Sequence, residues 1–253
     1  MITIPHEYRQ LPTAEDLPDS DETPVDNELQ NIIPNLLLNL LMWIWRDRQD
    51  WFFAVDMCYY YEPNLETPAK SKGIVPDAML AIGVPRLEAE RGRLSYVLWQ
   101  EKVKPSLFLE VISKKYNREY EDKLWLYEEL GILYYVVYNS LSGRRGRYKK
   151  HEPLEVYKLV NGKYELMPAI ALLQGQGKMI WLPEIELGIG YERREFGNWE
   201  RDWLYWYDQD CTRYPTAEER AQKAEEIASQ ERHKNEKLTN HLRALGINPD
   251  DIL

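Results

Sequence analysis

Apolar residues along this chain recur with two periods, and the change from one to the other marks its elements. From Leu29 to Ile44 they fall mostly at three- and four-residue steps (Leu29, Ile32, Ile33, Leu36, Leu37, Leu40, Leu41, Ile44), the period of one buried helix face. The spacing predicts a helix from an Asp26 N-cap to about Arg46. Pro34 should kink or divide it, because proline removes a backbone donor. Short β-type runs follow: Trp51–Tyr61, Asp77–Val84 entered through Pro76, and Leu107–Ile112, apolar apart from Glu110. A nearly continuous apolar run is the pattern of a strand covered on both faces. A helix is predicted from about Glu119 to Leu130, stopped by Gly131, and then a strand over Leu133–Tyr138. Strand, helix, strand in that order implies a parallel pair. Asn161-Gly162, between Leu154–Val160 and Lys163–Leu166, reads as a type I′ hairpin turn. Shorter β segments are expected at Ile180–Leu182 and Arg201–Asp208. The fold class is α/β.

The two ends differ from this body. Met1–Asp26 is acidic and punctuated by Pro5, Pro12, Pro18 and Pro24, the composition of an irregular arm. Near the other end Ala221, Ala224, Ala228, Glu231, Asn235, Leu238, Leu242 and Leu245 alternate steps of three and four, a heptad seam. Gly246 and Pro249 close it. The seam admits two readings, a single amphipathic helix folded onto the body or a two-stranded coiled coil. The expected organisation is an arm over residues 1–26, a domain over 27–215 and a helical tail over 216–253.

Charge and composition narrow the function. The 253 residues carry a formal charge of −10, which argues against non-specific coating of nucleic acid. The acidity is concentrated at the ends: −6 falls in residues 1–26 and −2 in 216–253, leaving −2 for 27–215. A nearly neutral body leaves a nucleic-acid substrate open. The longest apolar stretch, Leu36–Trp45, is interrupted by Asn39 and is far short of a membrane span. Met1–Gln10 lacks the basic-then-apolar pattern of a secretion signal. Cys58 and Cys211 lie far apart without metal-type spacing, which fits a reducing compartment. The cytoplasm is the expected location.

The chemistry concentrates in Pro76-Asp77, Leu109-Glu110-Val111-Ile112 and Lys123. Hydrolysing a phosphodiester requires neutralising charge on the phosphate, activating a water and protonating the leaving oxygen. Carboxylates at adjacent strand edges suit a hard cation such as Mg²⁺, which polarises the phosphate and acidifies its water. A neighbouring lysine orients that water and stabilises developing charge. Each residue alone has a plainer reading: a solvated turn aspartate, a salt-bridged strand glutamate, a solvated helix lysine. Glu110 is the most informative, because burying a carboxylate in an apolar strand is costly without a metal or cationic partner. Acid at a strand start, acid in the next buried strand and lysine one helix later is the order of the PD-(D/E)-x-K nuclease core.

Over roughly residues 25–210 the chain resembles the Uma-type endonuclease-like proteins, a bacterial group of restriction-endonuclease-like domains. The segments that carry the resemblance are VPDAMLAIG, LSYVLWQE, PSLFLEVIS, DKLWLYEELGILYYVVYN and GKMIWLPEIELGIG. The resemblance implies a mixed β-sheet flanked by helices and a Mg²⁺-type (or Mn²⁺) site. It implies Asp77 and Glu110 as metal ligands, Lys123 as the catalytic lysine, the Val111 carbonyl as a backbone ligand and Glu28 as an acid from the first helix. The superfamily's motif lysine lies two residues after the strand glutamate, where this chain has Ile112. The cation must therefore come from Lys123, or from Lys114 or Lys115 folding back. Ahead of the helix lysine, where the family often carries aspartate, stands Glu119.

The expected function is a Mg²⁺-dependent DNA endonuclease, working as a homodimer because cutting a duplex takes two sites. Ile112 and the overall acidity favour a rival, a catalytically inactive nuclease fold that binds DNA or protein. A glycosidase using Asp77 and Glu110 as an acid/base pair leaves Lys123 unexplained. The basic cluster Arg144, Arg145, Arg147, Lys149 and Lys150 reads as a solvated loop or a phosphate contact. His6, His151, His233 and His241 show no ligand or triad grouping and read as surface residues. Gly188 and Gly190 lack the helix and lysine of a phosphate loop.

Overall fold

Asn27 opens the first helix, α1 (Glu28–Ile44). Its side chain accepts from the amides of Leu29 and Gln30, and the Gln30 side chain accepts from the Asn27 amide, a reciprocal capping box. The computed structural model describes residues 11–13, 16, 27–86, 90, 92–113, 118–142, 150–172, 177–246 and 248; the expected cap Asp26 and most of the acidic arm lie outside them. Helix α1 runs through Pro34 undivided. A proline costs a helix interior roughly 3 kcal/mol, whereas Ile33, Leu36, Leu37, Leu40 and Leu41 are all buried, each contributing about 1.5–3 kcal/mol.

The run Trp51–Tyr61 is two strands, β1 (Trp51–Val55) and β2 (Tyr59–Glu62), broken at Asp56 with φ of 49°, a left-handed conformation that aspartate tolerates. Next come β3 (Lys72–Ile74), β4 (Ala78–Ile82), β5 (Tyr96–Val97), α2 (Leu98–Glu101), β6 (Leu107–Val111), α3 (Leu124–Leu130) and β7 (Tyr134–Tyr138). Then follow β8 (Leu154–Val160), β9 (Lys163–Leu166), β10 (Ile170–Ala171), β11 (Gly177–Leu182), β12 (Leu187–Phe196) and β13 (Trp199–Tyr207). Asn161 and Gly162, at φ of 50° and 80°, make the β8–β9 turn with both central residues left-handed, as the sequence requires.

A six-stranded sheet runs β1-β4-β6-β7-β8-β9, in which β6 and β7 are the parallel pair. Its two faces follow the two-residue alternation of β6. Leu107, Leu109 and Val111 join α1 and the antiparallel sheet β10-β11-β12-β13 in one core. Phe108 and Ile112 join Tyr127 of α3 and Tyr59 and Tyr96 of the small β3-β2-β5 sheet in the other. The fold is thus a mixed sheet covered on both faces, which explains why β6 and β7 read as continuous apolar runs.

Strand β12 is absent from the sequence reading. Its start, Leu-Gly-Ile-Gly, has the composition of a turn, yet a Cβ at Gly190 would sit 2.6 Å from the Cβ of Met179 and 2.7 Å from the carbonyl of Lys178. Glycine is what lets β11 pair this closely.

Two compact units divide the chain, Met1–Tyr214 and Pro215–Leu253. The second holds α4 (Ala217–Ala244), capped by a reciprocal Thr216/Glu219 box, and none of the helix's residues is buried. Among the described residues no helix is long and apolar enough to cross a membrane.

Candidate active site

The antiparallel register of β4 and β6 pairs Ala78 with Leu109 and Met79 with Phe108. Extended by one residue, it sets Asp77 opposite Glu110, on the sheet face shared with Phe108 and α3, since directly opposed residues project to the same side. Both are buried, with 9% and 3% of their surfaces exposed. Lys123 and Tyr127, four residues apart and so on one helical face, meet Glu110 from above. Lys123 Nζ is 2.7 Å from Glu110 Oε2, and the Tyr127 hydroxyl donates to Glu110 Oε1 at 2.6 Å. The lysine ends a single π-type turn, Glu119–Lys123, in which its amide reaches back to the Arg118 carbonyl at 3.2 Å. That wider turn precedes the α-helix proper, where an unbroken helix is expected, and such single turns are frequent at functional sites.

Asp77 is held at both oxygens. The Val111 amide donates to Oδ2 at 2.5 Å and Gln30 Nε2 to Oδ1 at 3.2 Å. Burial, and next the Glu110 charge, push the Asp77 carboxyl up to about 8; the Val111 amide, Lys123 and Gln30 oppose the shift. Burial pulls Lys123 down, but its net displacement is upward, because Glu110 and more weakly Asp77 and Glu119 favour the ammonium. Tyr127 is raised well above its ordinary value by burial and then by the Glu110 charge, so it serves as a hydrogen-bond donor. Lys123 is thus a cation, Tyr127 a neutral phenol, and Asp77 a carboxyl whose proton a metal ion would displace.

Asp77, Glu110 and Lys123 therefore lie together. Glu28 is exposed and lines a cleft of about 870 Å³ with Ile112, Ser113 and Asn139, beyond the carboxyl ends of β6 and β7. The side chain that α1 delivers to Asp77 is Gln30, two residues further on, which the sequence reading missed. Tyr127 was missed too, although it stands four residues after the candidate lysine. Ile112 is buried in the α3-side core and contributes no charge. Lys114 and Lys115 lie outside the described residues, as do Arg144, Arg145, Arg147 and Lys149 of the basic cluster; Lys150 is exposed. His151 is not a plain surface residue, since its Nδ1 is 3.0 Å from Glu155 and its ring stacks on Tyr120.

The donor set fits a hard cation. Among the described residues no three His, Cys, Asp or Glu side chains converge, so the protein offers two carboxylates, as magnesium sites commonly do with water completing the shell. The N–H and C=O of a strand residue face the same edge, so the Val111 carbonyl shares the side on which its amide meets Asp77.

Comparisons with known proteins place the chain at the level of family. The family model Uma2, described as "Putative restriction endonuclease", matches residues 6–190. No curated protein matches. Among solved structures, the chain is similar to a crystal structure of a "putative nuclease belonging to DUF820" from Anabaena variabilis ATCC 29413. The identity is 10% and the TM-score 0.38, over 60% of this chain and 76% of that one.

Proposed function

Because the chain belongs to the Uma2 family of restriction-endonuclease-like proteins, we propose that it is a metal-dependent endonuclease hydrolysing phosphodiester bonds of DNA. The observation that carries this reading is the meeting of Asp77, opposite Glu110, with an ammonium 2.7 Å from Glu110. Asp77, Glu110 and the Val111 carbonyl would hold Mg²⁺ or Mn²⁺, which when bound would supply positive charge to the phosphate and acidify a water. Lys123 adds a fixed positive charge where the phosphate oxygens gain negative charge. Tyr127 and Gln30 fix the two carboxylates so that no reorganisation is needed when substrate arrives. Cleaving both strands of a duplex takes two such sites, so the proposed working form is a homodimer.

One observation favours a second reading, a binding module without catalysis. All four carboxylate oxygens of Asp77 and Glu110 have protein partners (Gln30, Val111, Tyr127 and Lys123), and Ile112 carries no charge. Incubating purified protein with circular DNA in Mg²⁺ or Mn²⁺, and in EDTA, separates the two. Nicking or linearisation with metal alone supports the nuclease. Mn²⁺ and DNA binding without cleavage supports the module.

A further inference from the structure

Helix α4 exposes all its seam residues from Ala221 to Leu238, with Leu238 52% and Leu245 63% exposed. Two asymmetries run along it. The seam is small at one end and large at the other: Ala221, Ala224 and Ala228 precede Leu238, Leu242 and Leu245. The charge is bipolar: residues 217–231 carry five acids and two bases, and residues 232–244 four bases and one acid, or −3 against +3. The helix dipole accounts for Glu218, Glu219 and Arg243 in the terminal turns, but its influence fades within one turn. Glu225, Glu226, Glu231, Arg232, Lys234 and Lys237 lie further in.

We propose that α4 pairs with α4 of a second copy of this chain in antiparallel orientation, about a two-fold axis near His233. Antiparallel coiled coils bring a positions against d positions. With Ala221 as a, that alignment sets Ala221 against Leu245, Ala224 against Leu242, Ala228 against Leu238 and Glu231 against Asn235 across the two copies. Each apolar layer then holds one small and one large residue, and the polar layer holds a carboxylate facing an amide donor. The −3 half of each helix lies along the +3 half of the other. A parallel pair gives three Ala–Ala layers, a Glu231–Glu231 layer and like-charged halves along their whole length. The pairing rests on the homodimer reading above and is independent of cleavage chemistry.

Light scattering or sedimentation of the full chain tests it, with mass as the readout. The wild type should dimerise, and more weakly at high salt. Ala224→Cys alone puts the two new thiols at opposite ends of an antiparallel pair and should add no interchain disulfide on mild oxidation, whereas Ala224→Cys with Leu242→Cys sets new thiols opposite each other and should cross-link the dimer beyond the wild-type level. A parallel dimer cross-links with Ala224→Cys alone. Cross-linking by the single variant, none by the double variant, or a wild type that stays monomeric, overturns the proposal. Helicity by circular dichroism confirms that each variant keeps α4 folded.

Discussion

Lys123 reaches Glu110 from a helix that follows the strand, its Nζ 2.7 Å from Oε2, so the cation that Ile112 cannot supply comes from another element. The pair is nearly dry, with side chains 16% and 4% exposed. Lys123→Met should lower cleavage by about 100-fold or more. It should also cost about 3 kcal/mol in denaturant unfolding, because it leaves a buried carboxylate without its counter-ion. Full activity in this variant would remove Lys123 from the chemistry.

Tyr127 touches Glu110 and is itself fully buried, so its action is positional. Tyr127→Phe keeps the ring packing against Phe108 and Tyr135 and removes only the donor. The half-saturating Mg²⁺ concentration for cleavage should rise about 10- to 100-fold, with the rate at saturating metal changed much less. A purely structural tyrosine would shift stability, by about 2 kcal/mol for a hydrogen bond to a charged group, and leave the metal titration unmoved.

The carboxyl of Asp77, raised from 3.8 to about 8 by burial and the Glu110 charge, makes stability depend on pH. A native value above the unfolded one means that the metal-free native protein binds the extra proton between those two values. Stability should therefore fall as pH rises from about 4 to about 8, by up to about 1.4 kcal/mol per unit from this group, and then level off. Asp77→Asn should flatten that slope. Because a bound cation must displace the proton, Mg²⁺ affinity should rise across the same window. Denaturant titrations at several pH values check the first statement, and a slope untouched by Asp77→Asn contradicts it.

The parts of this site that depend on local pattern were legible in the chain. Glu110 stands out because a carboxylate interrupts an apolar strand, and Lys123 because it follows on the next helix. What could not be read was register. Only the pairing of Ala78 with Leu109 brings Asp77 opposite Glu110. Which turn of α1 approaches Asp77 depends on where the helix packs, so the contact from Gln30 could not be read from the chain. Strand β12 escaped for a similar reason: its glycines are demanded by the close approach of Met179 and Lys178, a neighbour visible only in three dimensions.

The most direct measurement is cleavage of circular DNA in Mg²⁺ by Asp77→Ala and by Glu110→Ala, each beside wild type and each first shown to be folded. The account predicts that wild type cuts, and that each substitution abolishes cutting while leaving the far-ultraviolet dichroism unchanged. Undiminished cleavage by either folded variant would contradict it.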